Sequence, residues 1–334
     1  MVKSTTMALA VLFGLSAAPA LAQDVPTLTI YTYDGFAAEW GPGPQLSAAF
    51  EPICGCKLNW IAADSSIGTL RRVQLEGETT EADLIVGLDT AIAGEARATG
   101  LFADHGLTLD NLALPGEWTD EQFVPFDYSH FAFMYDTDRT ETPPKSFEEL
   151  IALPDDFKIV IQDPRSATPG LGLVLWVKAA YGDRAAEIWA GLKPHILTIT
   201  REWSESYSLF LDGEADMALS YTTSPAYHIF DEDDHTIKAA LFEEGHYPQI
   251  EVAGVLKSSD QQELAKQFLA WFASPEGQKI IPTTNWMFPV VDLGDELDPS
   301  FAGLPQPEKT LTLSDEDILA NSSAWIDEML AAVQ

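Results

Sequence analysis

The stretch Met217-Ala218-Leu219-Ser220-Tyr221-Thr222-Thr223-Ser224-Pro225-Ala226-Tyr227-His228 decides the fold. It starts as a short apolar strand and runs straight into hydroxyls and aromatics. A strand buried to its end has no use for Tyr-Thr-Thr-Ser, and Pro225 stops further pairing. In an α/β protein the carboxyl end of a strand is where ligands are held. The rest of the chain is therefore expected to complete a pocket over this strand end.

Working outward, the same plan recurs. Apolar runs at 27–33, 57–62, 82–88, 157–161 and 196–200 read as strands, and each is followed within two residues by a polar or charged residue such as Asp34, Asp64, Asp89, Asp163 or Arg201. Helical patterns at 44–50, 70–75, 171–181, 204–211 and 262–272 fall between the strands or follow them, which marks a parallel sheet in an α/β fold. Ser204 and Thr168 are candidate helix caps, and Ser146-Phe147-Glu148-Glu149 reads as a capping box. A last helix is expected over 318–333, and the Pro-rich run 299–307 reads as an arm over one lobe.

Two long extended segments, 123–136 and 246–257, each carry the chain from one body to another. They divide it into lobe 1, residues 23–125 with 249–285, and lobe 2, residues 126–248 with 286–334. Each lobe is expected to be a mostly parallel sheet flanked by helices, the two joined by a hinge that closes on a ligand. The 334 residues exceed what one hydrophobic core usually supports, which agrees with two lobes. An ordinary two-domain enzyme with a single crossing is the alternative plan.

Residues 1–22 do not belong to that fold. Lys3, the apolar run 7–15 and Ala20-Leu21-Ala22 make a secretory signal peptide, cleaved before Gln23. The product is expected in the periplasm. Removing that segment takes away one Lys and no acid, so the net charge moves from -34 to -35. Such an excess argues against nucleic acid, whose phosphates want Lys or Arg, and it permits a cationic ligand. Most of these charges read as a solvated acidic surface. Cys54 and Cys56, in C-x-C spacing, allow a disulfide but make a poor metal site on their own.

The strand ends supply the candidate ligand groups. Lobe 1 offers Tyr33, Asp34, Asp64, Ser65, Ser66 and Asp89; lobe 2 offers the segment 165–168, Trp203, Tyr221, Thr222, Thr223, Ser224 and Tyr227. Aromatic faces, carboxylates and hydroxyls suit a flat cation with exchangeable protons. Trp40, beside a Gly-Pro run, is a candidate wall, and Trp286 a candidate platform. Trp176, Trp189 and Trp271 lie on helix faces and read as core. Ala167 and Thr168 open a helix, where free amides favour an anion, although a plain helix start explains them equally well. The six His lack ligand spacing, and no G-x-S-x-G, Walker A or H-E-x-x-H motif is present. No catalytic group, metal or cofactor is expected.

Several segments, in order, resemble the periplasmic thiamine-binding proteins, the receptors of bacterial ABC importers for thiamine and its phosphates. They are T-I-Y-T-Y-D-G-F-A-A-E-W-G-P-G-P (29–44), A-D-L-I-V-G-L-D (82–89), F-V-P-F-D-Y (123–128), Q-D-P-R-S-A-T-P-G-L-G-L (162–173), L-S-Y-T-T-S-P-A-Y-H (219–228) and N-W-M-F-P-V (285–290). The resemblance spans the mature chain. It implies a two-lobed type II solute-binding fold, a clamped ligand without turnover, a monomer, and permease and ATPase partners. It also implies that Trp203, Tyr221, Thr222, Thr223, Ser224, Tyr227 and Trp286 line the pocket, with residues 165–168 toward the hydroxyethyl or phosphate end. The family pattern has a hydroxyl where Ala167 stands, and an acidic residue followed by Gly near Asp64-Ser65-Ser66. Two other classes fit the same composition: a thiaminase-like transferase with a cysteine nucleophile, and a receptor for another cation such as a polyamine. Cys54 and Cys56 precede strand two, a strand length of about 17–20 Å from the expected ligand end, which disfavours the transferase.

Overall fold

The computed structural model describes Met1 and residues 25–333; the expected signal peptide lies outside the described residues apart from Met1. The chain opens with β1 (Thr27–Tyr33), α1 (Asp34–Ala37), α2 (Pro42–Cys54), β2 (Lys57–Ala63), α3 (Ser66–Glu76), β3 (Leu84–Asp89) and α4 (Thr90–Ala98). β1 pairs in parallel with β2 on one side and β3 on the other. The helix α4 was not foreseen, and its cap explains it: the Asp89 carboxylate accepts from the amide of Ala91 at 3.0 Å. Likewise α3 begins at Ser66 rather than at 70, because the Ser65 hydroxyl accepts from the amide of Gly68 at 3.0 Å.

β4 (Phe123–Asp136) then crosses the molecule. Beyond it lie α5 (Phe147–Ile151), β5 (Ile159–Gln162), α6 (Thr168–Tyr181), α7 (Ala185–Leu192), β6 (Ile196–Thr200), α8 (Trp203–Leu211), β7 (Met217–Tyr221), α9 (Pro225–Tyr227), β8 (Ile237–Ala240) and β9 (Pro248–Val255). β5 pairs in parallel with β6 and β7. β4 changes partner midway: from Phe123 to His130 it lies antiparallel to β9, and from Phe131 to Asp136 antiparallel to β7 and β8. The order β2-β1-β3-β9-β4-β7-β5-β6 is therefore one hydrogen-bonded path, with two parallel groups held apart by antiparallel crossing strands.

The chain ends with α10 (Gln262–Phe272), α11 (Pro275–Gln278), β10 (Phe288–Pro289) and α12 (Asp315–Val333). α12 lies across α4, α6 and α7. Its ends are tied by ion pairs, Arg97 to Asp315 and Lys178 to Glu328, the latter at 3.1 Å. Cys54 and Cys56 are joined in a disulfide at the end of α2. Two expected caps are corrected. Thr168 is the first residue of α6 with Ala167 in the cap position, and Ser204 lies inside α8 behind Glu202; neither cap position carries a side-chain bond.

Aromatic rings fill the core on both sides of the crossing strands. Phe36, Phe126 and Phe272 meet edge-to-face and stacked at 4.9–6.5 Å, and Phe133, Phe147, Trp176 and Phe242 do the same at 4.9–6.3 Å. The start of α6 sits directly on the end of β5: a Cβ at Gly170 would lie 2.4 Å from the carbonyl oxygen of Gln162. Backbone cannot yield as a side chain can. Gly170→Ala is thus expected to lower stability by about 1–3 kcal/mol, read from the urea midpoint. An unchanged midpoint would show that α6 is not seated there.

Candidate ligand-binding cleft

Contacts link some of the strand ends named from the sequence, Arg201 to Asp64 and Thr168 to Asp89, and the side chains around them fall into three layers. The first is aromatic. Trp203, at the start of α8, stacks on Tyr207 with centroids 4.7 Å apart and planes 22° apart. Its indole N–H donates to the Ser220 hydroxyl at 2.9 Å, so both the plane and the edge of the ring are set. Tyr227 meets Trp286 edge-to-face at 5.2 Å. Trp286 has φ 56°, in the left-handed region that a bulky residue adopts only when its surroundings impose it. Such strain concentrates at binding sites. Trp40 is 66% exposed, with its ring edge beside Gly35.

The second layer is charged and lies at the mouth. Asp34 and Asp64 are exposed at the ends of β1 and β2. Arg201, after β6, reaches Asp64 at 3.5 Å, an ion pair between the two parallel groups of strands. Both partners are largely exposed, so the pair itself contributes little. Next to it, burial pushes the Glu202 carboxyl up to about 7, with Asp64 and Asp34 adding to the rise and Arg201 opposing it. Arg165 is folded back onto Asp163 through two bonds of 2.9 and 2.6 Å.

The third layer is a buried floor. Asp127 of β4 and Glu251 of β9 are register partners. The Asn285 side-chain amide donates to Asp127 at 2.7 Å and to Glu251 at 2.9 Å. The Tyr33 hydroxyl lies 3.1 Å from both Glu251 and Asn285, and the Tyr221 hydroxyl donates to Gln249 at 3.2 Å. Burial raises Asp127 to about 7 and holds Glu251 well above the carboxylate range, with Asp127 and Asp89 adding to the latter. Asp89 is likewise raised by burial to about 7, opposed by the amides of Ala91 and Ile92 and by Thr168. Thr168 thus meets a carboxylate from the other group of strands.

Not every expected group presents itself to the cleft. Thr222 and Thr223 are fully buried: their hydroxyls meet Ser129 at 3.1 and 3.0 Å. Ser224 bonds Ser220 at 2.7 Å and accepts from the Tyr221 amide at 3.2 Å. These three stiffen the strand end and, through Ser220, hold Trp203. Ser65 is engaged as the cap of α3, and Ser66 and Ala167 are buried at helix starts. Sequence reasoning missed Asp127, Gln249, Glu251, Asn285, Arg201 and Glu202. One signal was available: Asp127 and Glu251 each stand among buried residues within a largely apolar strand, where acids are rarely found without a task. Two hollows lie apart from these residues, one lined by residues 107–112 with Ala270, Ala273 and Val291, the other by residues 104–109 and 118–121.

Comparison with known proteins bears on this arrangement. The family profile described as bacterial extracellular solute-binding protein matches residues 45–291. The chain is 47% identical over 327 residues to the thiamine-binding periplasmic protein of Brucella suis, covering 98% of this chain and 97% of that protein. It is 46% identical over 319 residues to the protein of the same name in Escherichia coli, covering 96% of each. A solved periplasmic thiamin binding protein superposes with a TM-score of 0.89 at 46% identity, over 93% of this chain and 97% of the other. An iron-bound HitA of Pseudomonas aeruginosa shares the fold alone, with a TM-score of 0.75 at 21% identity over 92% of this chain and 100% of the other.

Proposed function

We propose a function from this premise: the chain belongs to the family of bacterial extracellular solute-binding proteins and, within it, to the thiamine-binding periplasmic proteins. It is a receptor that holds thiamine, and thiamine phosphates with it, in the cleft between two lobes and delivers it to the permease and ATPase of an ABC importer. It works as a periplasmic monomer without turnover or cofactor. The lobes are residues 23–125 with 249–285 and residues 126–248 with 286–334, and the chain passes between them along β4 and β9.

The observation that carries this reading is the pairing of a fixed aromatic wall with a buried acidic floor. Trp203, Tyr227 and Trp286 offer faces to flat cationic rings. Tyr33, Tyr221, Asp64 and Thr168 supply polar contacts around them, with Asp34 and Trp40 at the mouth. The transferase alternative needs a free thiol, and both cysteines are in the disulfide.

A melting-temperature screen tests the assignment. Thiamine at about 100 times its dissociation constant is expected to add about 2.7 kcal/mol of stability, with putrescine and spermidine giving no comparable shift. An equal shift with a polyamine would replace the ligand, and release of free thiazole from excess thiamine would make the protein an enzyme.

A further inference from the structure

The floor of the cleft holds two carboxyl groups side by side with no cation near them. Asp127 and Glu251 face each other across β4 and β9. No ion pair among the described residues involves either one. Their neighbours are the Asn285 amide, the Tyr33 hydroxyl and, a little farther off, the Tyr221 hydroxyl and the Asp89 carboxyl. Asn285 serves the Oδ2 side of Asp127, while no donor of the protein reaches its buried Oδ1. Two adjacent carboxylates cannot both stay ionised in a dry site; a shared proton or an external cation must make up the deficit.

We propose that Asp127 and Glu251 hold one proton between them in the empty receptor and release it to solvent when an organic cation occupies the cleft. The inference rests on the receptor reading above and adds how the ligand's charge is read. When the cation arrives, its positive charge replaces the proton as the partner of the pair. The proton passes to bulk buffer, and no other bond changes. A neutral ligand of the same shape gains nothing from this exchange, so the pair selects for charge. Asn285 and Tyr33 are the positioning residues: they tie the pair to the strained Trp286 on one side and to the end of β1 on the other.

The test is calorimetric titration of the full receptor with thiamine at pH 6.5 in buffers of differing ionisation enthalpy. Release of about one proton per thiamine bound is expected. Asp127→Asn and Glu251→Gln should each abolish that release and weaken binding by about 10-fold or more. Asp89 and Glu202 are the other carboxyls raised by burial, so Asp89→Asn and Glu202→Gln test the rival sources of the proton, while Glu316→Gln, an exposed carboxyl of α12, is the control that should retain the release. Tight binding with no proton release would overturn the proposal while leaving the receptor reading intact. Release lost in Asp89→Asn or Glu202→Gln but kept in Asp127→Asn would also overturn it. Absence of any thiamine binding would remove the receptor reading itself, and this inference with it. The buffer series on the unaltered protein decides even where a variant fails to fold.

Discussion

Replacing Trp203 with alanine is expected to weaken thiamine binding by about 1.5–3 kcal/mol, or roughly 10- to 150-fold, the scale of a lost stacking face plus its buried area. The ring is held before any ligand arrives, by Tyr207 beneath it and Ser220 at its edge. Little ordering cost is therefore left for the ligand to meet, and most of the contact energy appears as affinity. Calorimetric titration measures it, with the melting temperature of the unliganded variant as the check on folding. Ser220→Ala should give a smaller loss, because the stack on Tyr207 survives without the edge bond. A dissociation constant for Trp203→Ala equal to that of the unaltered protein would take Trp203 out of the pocket.

Raising the pH from 6 to 8 is expected to lower the melting temperature of the unliganded protein by about 5 °C. Asp89 and Asp127 are raised by burial from ordinary Asp values to about 7, burial lifts Glu202 to about 7, and Glu251 is raised well above its usual range. A carboxyl raised in the folded state binds more protons there than in the unfolded chain, so its contribution is lost as pH climbs through the folded value. His130 and His246 act in the opposite sense. Burial lowers both to about 4, so the unfolded chain gains protons below pH 6.5 and stability falls there. The imidazoles add stability only up to about pH 6.5, where the unfolded chain gives up its protons, whereas Asp89, Asp127 and Glu202 lose theirs near pH 7, so over the whole range the carboxyls prevail. Scanning calorimetry from pH 5 to 8 measures the slope; a rise in melting temperature toward pH 8 would show that these groups are ionised in the fold. Asp127→Asn should flatten the curve.

Much of the fold was legible beforehand because it depends on local period and punctuation. The strand at 217–221, the crossing segment at 123–136 and the helix at 262–272 follow from runs of apolar residues with the right spacing and stops. The helix starts were less legible. Ser65 and Asp89 cap α3 and α4, and the sequence does not separate a cap from a ligand group, since both occupy the same place at a strand's carboxyl end. Ser204 and Thr168 look like caps in sequence and are not, because the helix cap falls one residue earlier at Ala167 and two residues earlier at Glu202.

The hydroxyl-rich end of β7 shows where local reading stops. Local pattern alone shows that a strand ends at Tyr221 before a run of hydroxyls, and that 123–136 and 248–255 are long extended segments. Which of those hydroxyls are engaged depends on partners far away in the chain. Ser129, some ninety residues away in the chain, engages the hydroxyls of Thr222 and Thr223. The antiparallel register of β4 on β9 sets Asp127 against Glu251, and Asn285 joins them from a third part of the chain. A strand's period tells which face a side chain takes, but not which residue stands opposite; that is fixed by pairing between distant segments.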